Sequence, residues 1–285
     1  MKKILIITDS ACDLNVYRLS PNVFVLPCYY DYKDFTRMER MGTGCGYGNK
    51  YIANGVDPSE VKNFGVNYYD TLNTMNYAID NDMDIIIIPT NKKYSKKNNT
   101  NIQIAANEFM IHNPKINVAI YQYGGISMSL GLLIKKIDQL INSGWEFKEI
   151  VKFLYRFGHK YTYEFITDDF SYMIDVPYVS RIDKCALKYG DKKYLFKVKA
   201  GRVAIAGSAN DNYSLKELLI ERFIDRVDFD EEVSVVHSDD PFNAFDLRDA
   251  IKERYCINDI QIKEQSISSS SIIRPKSLGI AYRRK

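Results

Sequence analysis

The stretch that decides the fold is Lys2-Lys3-Ile4-Leu5-Ile6-Ile7-Thr8-Asp9-Ser10-Ala11-Cys12-Asp13. Its four consecutive aliphatic residues predict a short strand that is covered on both faces, as in a parallel sheet. The polar residues that follow lie where open α/β sheets bind ligands, beyond the carboxyl end of a strand. We therefore predict a strand over residues 2–7 and a ligand-edge loop over 8–13. Asp9 or Ser10 could equally cap a following helix, and the pattern leaves both interpretations open.

Two further apolar runs of the same kind lie at residues 84–88 and 116–121. Each follows a helix-compatible segment, over 68–80 and 102–112, and a shorter strand is predicted at 23–26. Such alternation of strand and helix is typical of parallel crossover units. Polar residues follow these two strands as well, Thr90 and Asn91 after the first and Ser127 after the second. Three polar loops on one edge of a sheet favour a pocket there.

The clearest helix is predicted over residues 127–143, where apolar residues recur at helical spacing. Gly144 follows it as a natural C-terminal residue. We expect the Ser127 hydroxyl to be free to cap this helix, whether or not a ligand binds. A second amphipathic helix over 145–157 then completes a helical hairpin.

The pattern changes after about residue 166. Strand-like runs at 195–198, 202–206, 232–237 and 259–264 are combined with helices at 214–225 and 243–254. This arrangement indicates an α+β unit rather than a wound α/β sheet. We therefore predict two domains, an N-terminal α/β domain over 1–165 and a C-terminal α+β domain over 166–285.

Composition excludes several classes of protein. Lysine and arginine total 39 against 36 acidic residues, and a net charge of +3 provides no basic field for a nucleic acid. The five cysteines never have Cys-x-x-Cys spacing, which argues against a disulfide framework and a zinc site. No segment approaches the ~20 apolar residues of a membrane span, and the first apolar run is too short for a signal peptide. We expect a cytoplasmic protein without metal, cofactor or integral membrane association.

Two motifs suggest other functions. The glycine-rich segment over 42–48 resembles a phosphate loop, but it follows no strong strand and lacks the Gly-Lys-Ser/Thr ending, so a surface loop explains it better. His237 is followed by Ser-Asp-Asp-Pro, which resembles part of a catalytic triad but is also typical of a helix N-terminus. A hydrolase or transferase that uses His237 or a pocket serine remains an alternative. It requires a nucleophile and a base within hydrogen-bond reach.

Several short motifs, taken in order, resemble those of the DegV proteins, a bacterial fatty-acid-binding family that includes the acyl-carrier subunits of fatty acid kinase. Residues 8–14 resemble the family's Thr-Asp-Ser-x-x-Asp-Leu opening, and residues 126–131 its Ser-x-Gly-x-Gly helix start. Residues 167–173 resemble the Asp-Asp-Leu-x-Tyr-Leu segment that opens the second domain. Residues 274–282 resemble the closing Gly-Pro-Gly-x-Leu-Gly segment. The likeness spans nearly the whole chain.

The resemblance implies a two-domain α/β fold. Its N-terminal domain would be a three-layer α/β/α unit with a parallel sheet, and its C-terminal domain a two-layer α+β unit with a mixed sheet. It also implies that a fatty acid or similar lipid is held in a tunnel between the domains, without being transformed, for presentation to a fatty acid kinase partner. The alternative is a diverged DegV-like interaction protein without lipid. Side chains such as Phe64 or Tyr94 filling the tunnel would favour that alternative.

The polar site departs from the family pattern. The family's Thr-Ser-Gln-Pro falls at Lys62-Asn63-Phe64-Gly65, its Gly-Gly-Arg-Ile-Ser at residues 176–180, and its serine-rich loop within 90–100. The family's histidine just before Gly-Pro-Gly falls near 271–272, where this sequence has none. The family's arginine that is associated with docking to the kinase falls at Asn210. A buried carboxylate nevertheless needs hydrogen-bond donors. The candidate ligand-binding residues are Ser10, Asn63, Thr90, Asn91, Ser95, Ser127, Ser180, Ser271 and Arg274, with Lys62 adding charge if it points inward.

Overall fold

The computed structural model describes residues 2–15, 19–39, 56–57, 60–257 and 259–285. In chain order, its strands are β1 (Lys3–Asp9), β2 (Val23–Leu26), β3 (Cys28–Tyr32), β4 (Phe35–Met38), β5 (Lys62–Val66), β6 (Met83–Ile87), β7 (Val118–Ile120), β8 (Tyr161–Thr167), β9 (Lys193–Lys199), β10 (Arg202–Ala209), β11 (Val233–His237), β12 (Ile260–Glu264) and β13 (Ser277–Arg283). Its α-helices are α1 (Tyr68–Asp80), α2 (Lys96–His112), α3 (Met128–Asn142), α4 (Phe147–Phe157), α5 (Arg181–Tyr189), α6 (Asn212–Arg226), α7 (Pro241–Tyr255) and α8 (Ile267–Ile273).

The N-terminal sheet is parallel and has the strand order β2-β1-β6-β7. β1 lies inside it and is buried from Ile4 to Asp9, as expected for a strand that is covered on both faces. It is longer than the predicted 2–7 because Thr8 and Asp9 still pair with β2. The predicted strands at 23–26, 84–88 and 116–121 are confirmed as β2, β6 and β7.

The helices of the N-terminal unit follow the predicted alternation. α1 covers the predicted range, and the Asn67 side chain caps it by accepting a hydrogen bond from the Tyr69 amide at 2.7 Å. α2 begins six residues before the predicted start. The predicted hairpin is confirmed as α3 and α4, which contact each other. Gly144 lies between them with a φ of 91°, a left-handed conformation that glycine adopts without strain.

A small antiparallel sheet with the order β4-β3-β5 joins the N-terminal unit. The sequence did not predict β3, β4 or β5. β3 pairs with β5 across a long separation, Cys28 facing Val66, and no tight turn joins these two strands in the sequence. A pattern of local turn residues therefore could not indicate this pairing.

The C-terminal sheet is mixed and has the order β10-β9-β8-β13-β11-β12. β11 and β12 are parallel, whereas the other neighbours are antiparallel. The predicted C-terminal strands and helices are confirmed within a few residues, but β8 and β13, which lie side by side, were missed. The predicted boundary at residue 165 falls inside β8. It remains a prediction, and the pairing of all of β8 with β13 favours a boundary before Tyr161.

The two faces of the mixed sheet belong to different apolar cores. Its outer face packs against α6 and α7 and forms a cluster with residues such as Leu219 and Leu247. Its inner face carries Tyr163, Phe165 and Phe196, whose neighbouring rings stack with centroids 5.4 Å apart. α3 packs on that inner face, and the inner cluster continues into the buried strands of the parallel sheet. We call the contact between α3 and the inner face the interdomain seam.

Two expectations from composition can be compared with the described residues. Within the described ranges, none of the helices combines the length and the apolar character of a bilayer-spanning segment. The thiols of Cys12, Cys28, Cys185 and Cys256 are free. Cys45 and the glycine-rich segment at 42–48 lie outside the described residues.

Candidate functional site

Asp9, at the carboxyl end of β1, ties two strand-end loops together. Its buried carboxylate accepts hydrogen bonds from the Thr90 amide, the Thr90 hydroxyl and the Asn98 amide side chain, each at 2.7 Å. It also accepts one from the Ala11 amide at 3.2 Å, which caps the short helical turn after β1. Burial raises the pKa of Asp9, and these hydrogen bonds lower it in part. Asp9 therefore caps the turn after β1, as one interpretation predicted, and the ligand-binding interpretation of this loop stays a prediction.

Asp13 links the same edge of the parallel sheet to α8 of the C-terminal unit. Its carboxylate accepts hydrogen bonds from the Ser127 hydroxyl at 2.6 Å, the Ser266 amide at 2.8 Å and the Ser269 hydroxyl at 2.7 Å. Burial raises its pKa from 3.8 to about 7, and the three serines act in the opposite direction. The cap prediction for Ser127 is wrong, since no side-chain cap bond forms at α3. A charged acceptor binds this hydroxyl more strongly than a backbone amide would.

Glu39, just after β4, makes a second link to α8. The Ser10 hydroxyl donates to it, as do the Ser268 amide at 3.1 Å and the Ser268 hydroxyl at 2.8 Å. Burial raises the pKa of Glu39, against the effect of these donors. Ser10 in turn accepts a hydrogen bond from the Cys28 amide at 3.0 Å. We call the buried carboxylates of Asp9, Asp13 and Glu39 the acidic edge; each is held by neutral donors from the protein itself.

A different polar cluster lies where Tyr94, Tyr172, Tyr178 and Arg274 meet, and we call it the arginine–tyrosine corner. The guanidinium carbon of Arg274 lies 3.7 Å from the centroid of the Tyr172 ring, a cation–π contact. The rings of Tyr94 and Tyr178 meet edge to face, with centroids 5.2 Å apart. Burial raises the pKa of Tyr178, and the nearby charge of Arg274 lowers it in part. The corner therefore joins the loop before α2 to the segment after α8.

Two hydrogen-bond donors of the arginine–tyrosine corner are unpaired among the described residues. The Nε of Arg274 and the hydroxyl of Tyr94 are buried and have no hydrogen-bond partner in the described part of the chain. Buried polar atoms of folded proteins are nearly always bonded, so an unpaired donor needs an explanation. Of the predicted site residues, Arg274 is thus the one with a free donor of this kind among those the structure describes. The sequence analysis did not predict a polar role for Tyr94, Tyr172 or Tyr178.

The other predicted hydroxyl and amide residues are engaged within the protein. Asn91 donates to the carbonyl of Tyr123 at 2.7 Å. Ser95 caps α2 and donates to the carbonyl of Phe64. Ser180 caps α5 and donates to Asp183 at 2.7 Å, while Ser271 donates to the carbonyl of Ser268 at 2.8 Å. These bonds give each residue a structural use, and their role toward a ligand stays a prediction.

Two further predicted residues lie on β5. Asn63 belongs to this strand, but its side chain lies outside what the structure describes. Lys62 is exposed and does not add its charge to the interior. Phe64 follows Asn63 on the same strand. It is 5% exposed and belongs to the inner core.

His237 does not have the surroundings of a catalytic base. It is buried at the end of β11, and its Nδ1 accepts a hydrogen bond from the Asp240 amide at 3.3 Å. Burial lowers its pKa from 6.5 to about 4, so the ring is neutral near pH 7. No hydroxyl or thiol bonds its Nε2 within the described residues. The sequence Ser-Asp-Asp-Pro indeed leads into a helix, with Pro241 at the first position of α7.

A metal centre is not indicated by the residues that the structure describes, among which no group of three or more histidine, cysteine, aspartate or glutamate side chains could hold an ion. The acidic edge is consistent with this finding. Its carboxylate oxygens accept hydrogen bonds from serine, threonine and asparagine donors.

Known proteins with similar sequences and folds are found over the whole chain. A family model described as "Uncharacterised protein, DegV family" matches residues 3–285. Among curated proteins, none matches the chain. A DegV family protein from Eubacterium eligens, crystallised with heptadecanoic acid, has a TM-score of 0.80 at 14% identity, with 99% of this chain and 100% of that chain covered.

Two other solved structures are similar to the same extent. A fatty-acid-binding DegV family protein from Streptococcus agalactiae has a TM-score of 0.82 at 13% identity, with both chains covered completely. The fatty acid kinase B3 protein of Streptococcus pneumoniae, loaded with linoleic acid, has a TM-score of 0.78 at 16% identity, with 99% of this chain and 100% of that chain covered. At these identities the likeness shows the fold, in which a parallel-sheet unit is followed by a mixed-sheet unit.

Proposed function

Because this chain belongs to the DegV family, we propose that it binds a fatty acid or a similar lipid without transforming it, with the acyl chain between the N-terminal and C-terminal units. Relatives of the same fold and length hold heptadecanoic acid and linoleic acid in crystals. A binding function of this kind needs an apolar environment for the chain and donors for the carboxylate. The protein has candidates for both.

The interdomain seam is the observation that carries the proposal. One apolar cluster continues from the parallel sheet through α3 to the inner face of the mixed sheet, so the two units share a core where they meet. The outer cluster stays within the C-terminal unit. An acyl chain that lies along the seam would contact aliphatic residues of α3 on one side and the aromatic residues of β8 and β9 on the other. Such a position removes most of its surface from water.

We also propose that the protein catalyses no reaction on the lipid. His237, the one histidine with a motif resembling a triad, has no nucleophile on its Nε2 within the described residues. A similar fatty acid kinase B3 protein suggests that a kinase receives the lipid, and presentation to such a partner is part of the proposal. So is a cytoplasmic location, which the free thiols of the described cysteines support.

Lipid extraction tests the proposal. We expect organic extraction of the purified protein, followed by mass spectrometry, to release a fatty acid in a ratio approaching one per chain. A delipidated sample should take up added stearic acid, and native mass spectrometry should show a single adduct. A preparation that releases no lipid and takes up none would overturn the proposal.

A second candidate function has two observations in its favour. Phe64, which stands where the family pattern has a polar residue, is buried in the inner core, and most predicted hydroxyl donors are engaged within the protein. A DegV-like interaction protein that has replaced its ligand with side chains would have these features. Phe64→Ala separates the two functions. Uptake of stearic acid by the variant and not by the wild type would favour the interaction protein, whereas uptake by both supports lipid binding.

A further inference from the structure

We propose that the exposed face of α4 is a docking surface for an acidic helix of a partner protein. Three exposed cations lie on this face, Lys148, Lys152 and Arg156, and we call them the basic stripe. The stripe has no part in the proposed lipid binding. Neither the family match nor the similar structures assign a role to it.

The charges of the basic stripe are not neutralised within the described part of the chain. No carboxylate there lies within ion-pair distance of its three cations, whereas Lys135 of the neighbouring helix α3 is paired with Glu232. Glu149, an acidic residue within α4, is used otherwise, because it accepts a hydrogen bond from the Glu146 amide at 2.8 Å. The positive charges of the stripe are therefore available to a partner.

The helix dipole does not explain the basic stripe. Cations in the last turn of a helix stabilise it, which accounts for Arg156. Lys148, however, stands in the first turn of α4, where a positive charge interacts unfavourably with the dipole. A row of cations along the whole helix therefore has a use other than the stability of α4.

An exposed tyrosine lies on the same face of α4. Tyr155 follows Lys148 and Lys152 at the i, i+4, i+7 spacing of one helix face, and the apolar residues of α4 are buried on the opposite face. Tyr155 is 69% exposed, and its ring is held edge to face against Tyr121, with centroids 5.4 Å apart. Tyrosine and arginine are the residues that most often contribute the binding energy of protein interfaces. The face thus combines charge with a fixed aromatic contact.

The spacing of the basic stripe specifies the occupant. Four residues of helix advance by about 6 Å, so the three cations form a row of about 12 Å. Glutamates that stand four residues apart on a partner helix form a row with the same spacing. When the two helices lie side by side, each glutamate opposes one cation, which gives electrostatic complementarity. An apolar residue on the partner would contact Tyr155.

Other anionic partners fit this face less well. A net charge of +3 for the whole protein gives no field of the kind that a nucleic acid uses. A helix that binds a bilayer surface inserts its apolar face into the lipid. The apolar face of α4 is already buried in the protein. A helix with regularly spaced carboxylates therefore matches this face best.

The basic stripe lies away from the arginine–tyrosine corner. α4 leads into Tyr161, the first residue of β8. The corner lies at the other end of this strand, because Arg274 stands just before Ser277, which pairs with Thr167. The six steps along β8 span about 20 Å. A partner that docks on α4 therefore leaves the corner open.

Fluorescence anisotropy with a labelled synthetic helix tests the inference on the full chain. The probe is an alanine-based peptide with glutamates at i, i+4 and i+8 and a leucine at i+7. The reference peptide has the same composition, but its glutamates are adjacent. We expect the wild type to bind the probe about tenfold more tightly than the reference. Most of this binding should be lost between about 50 mM and about 500 mM NaCl, because salt screens charge pairs.

The decisive variant carries K148E, K152E and R156E together, and it should weaken binding of the probe by at least about tenfold. The matched control carries R181E, K188E and K192E, three exposed positions on and just after α5. Both variants have the same net charge, so their difference reports the position of the charges. The control should change binding by less than about twofold, and Tyr155→Ala should weaken it by about threefold.

Thermal unfolding and uptake of stearic acid should be the same in the wild type and both triple variants, because the exchanged side chains are exposed and lie outside the interdomain seam. Equal weakening by both triple variants would show an effect of net charge alone and overturn the inference. A wild type that binds no probe, or binds probe and reference equally, would overturn it as well.

A vesicle experiment separates a helix from a lipid surface. If phosphatidylglycerol vesicles sediment the wild type but not the K148E, K152E and R156E variant, and the probe does not bind, the occupant would be a membrane and the inference would be wrong. A wild type that binds the probe but takes up no stearic acid would overturn the proposed function and leave this inference intact.

Discussion

The acidic edge and the arginine–tyrosine corner both contain charge-bearing groups that form no ion pair among the described residues, but they differ in their hydrogen bonds. Asp9, Asp13 and Glu39 each accept at least three hydrogen bonds from the protein. Arg274 has a tyrosine ring and an unpaired Nε instead. The carboxylates are thus complete without a ligand, and the guanidinium is not. Residue type alone would have suggested the opposite, since three of the predicted site residues, Ser10, Thr90 and Ser127, donate to these carboxylates.

The difference shows how a structural polar cluster can be told from a candidate binding site. A polar network that is satisfied internally makes the fold more rigid and specific. An unsatisfied donor has a cost in the free protein that only a bound partner removes. Three predictions follow from this contrast, and each concerns the free energy of unfolding in urea at 25 °C.

Asp9→Ala should lower the free energy of unfolding most, because it removes an acceptor of the acidic edge. The Thr90 amide, the Thr90 hydroxyl and the Asn98 side chain would lose their acceptor while staying buried, which costs about 3 kcal/mol in total. Asp246→Ala is the control, because Asp246 is exposed on α7 and should change stability by less than about 0.5 kcal/mol. A loss below about 1 kcal/mol for D9A would mean that these bonds are not the reason for the stability of the edge.

Asp13→Asn should remove a pH dependence. The pKa of Asp13 is raised in the folded protein from 3.8 to about 7, so its stabilising contribution is complete below about pH 4 and is lost as the pH rises through 7. Between these values the unfolding free energy of the wild type should fall, relative to that of D13N, by about 1.4 kcal/mol per pH unit. Unfolding of both proteins at pH 5, 6, 7 and 8 measures this difference.

The other titratable groups near the acidic edge are present in both proteins; the charge of Asp13 affects Cys12 and Tyr163, but their raised pKa values keep both neutral from pH 5 to 8. They include Asp9, Glu39, Cys12, Cys28 and Tyr163, whose pKa values are all raised, mainly by burial. The difference should become constant above about pH 8. Curves for wild type and D13N that run parallel from pH 5 to 8 would show that Asp13 is ionised throughout this range.

Tyr94→Phe and Tyr123→Phe should change the free energy of unfolding least. The difference between them tests most directly whether the Tyr94 hydroxyl is unpaired. The Tyr94 hydroxyl has no partner in the described residues, so its removal should leave lipid-free stability within about 0.5 kcal/mol of the wild type, or increase it. The Tyr123 hydroxyl donates to the Tyr161 carbonyl at 2.8 Å, and its loss should cost about 1 kcal/mol. Equal losses in the two variants would mean that the Tyr94 hydroxyl has a partner after all.

Local patterns in the sequence predicted much of the fold. Residues 68–80 and 23–26 were assigned correctly because their patterns are local: the first has helical spacing and the second is a compact run of apolar residues stopped by Pro27. The alternation of β8, with Tyr163 and Phe165 on one face and Glu164 between them, was a signal that could have predicted this strand. In the small antiparallel sheet, β3 and β4 pair across Lys33 and Asp34, a local hairpin that the sequence analysis missed, whereas the pairing of β3 with β5 joins distant residues and has no local signal.

The candidate site was predicted less completely. Thr90 and Ser127 were placed correctly at the edge of the parallel sheet, yet their acceptors, Asp9 and Asp13, could not be assigned from spacing. Glu39 is held by Ser268, more than two hundred residues away in the sequence, so no local pattern could relate them. Arg274 was predicted as a donor from its place in a motif. Its tyrosine neighbours come from two segments, one at Tyr94 and one at residues 172–178, and became visible only when these segments were brought together.

β13 has a consequence for how the molecule assembles. It lies between β8 and β11 and pairs with both, Ser277 with Thr167 on one side and Leu278 with His237 on the other. β8, β9 and β10 are consecutive strands, with α5 between β8 and β9, and can pair early, but β11 and β12 join them only through β13. Closing a loop of more than a hundred residues is slow compared with forming a hairpin. The shared core of the two units should therefore be completed in a late folding step, after the parallel sheet and the β8–β10 pairing have formed.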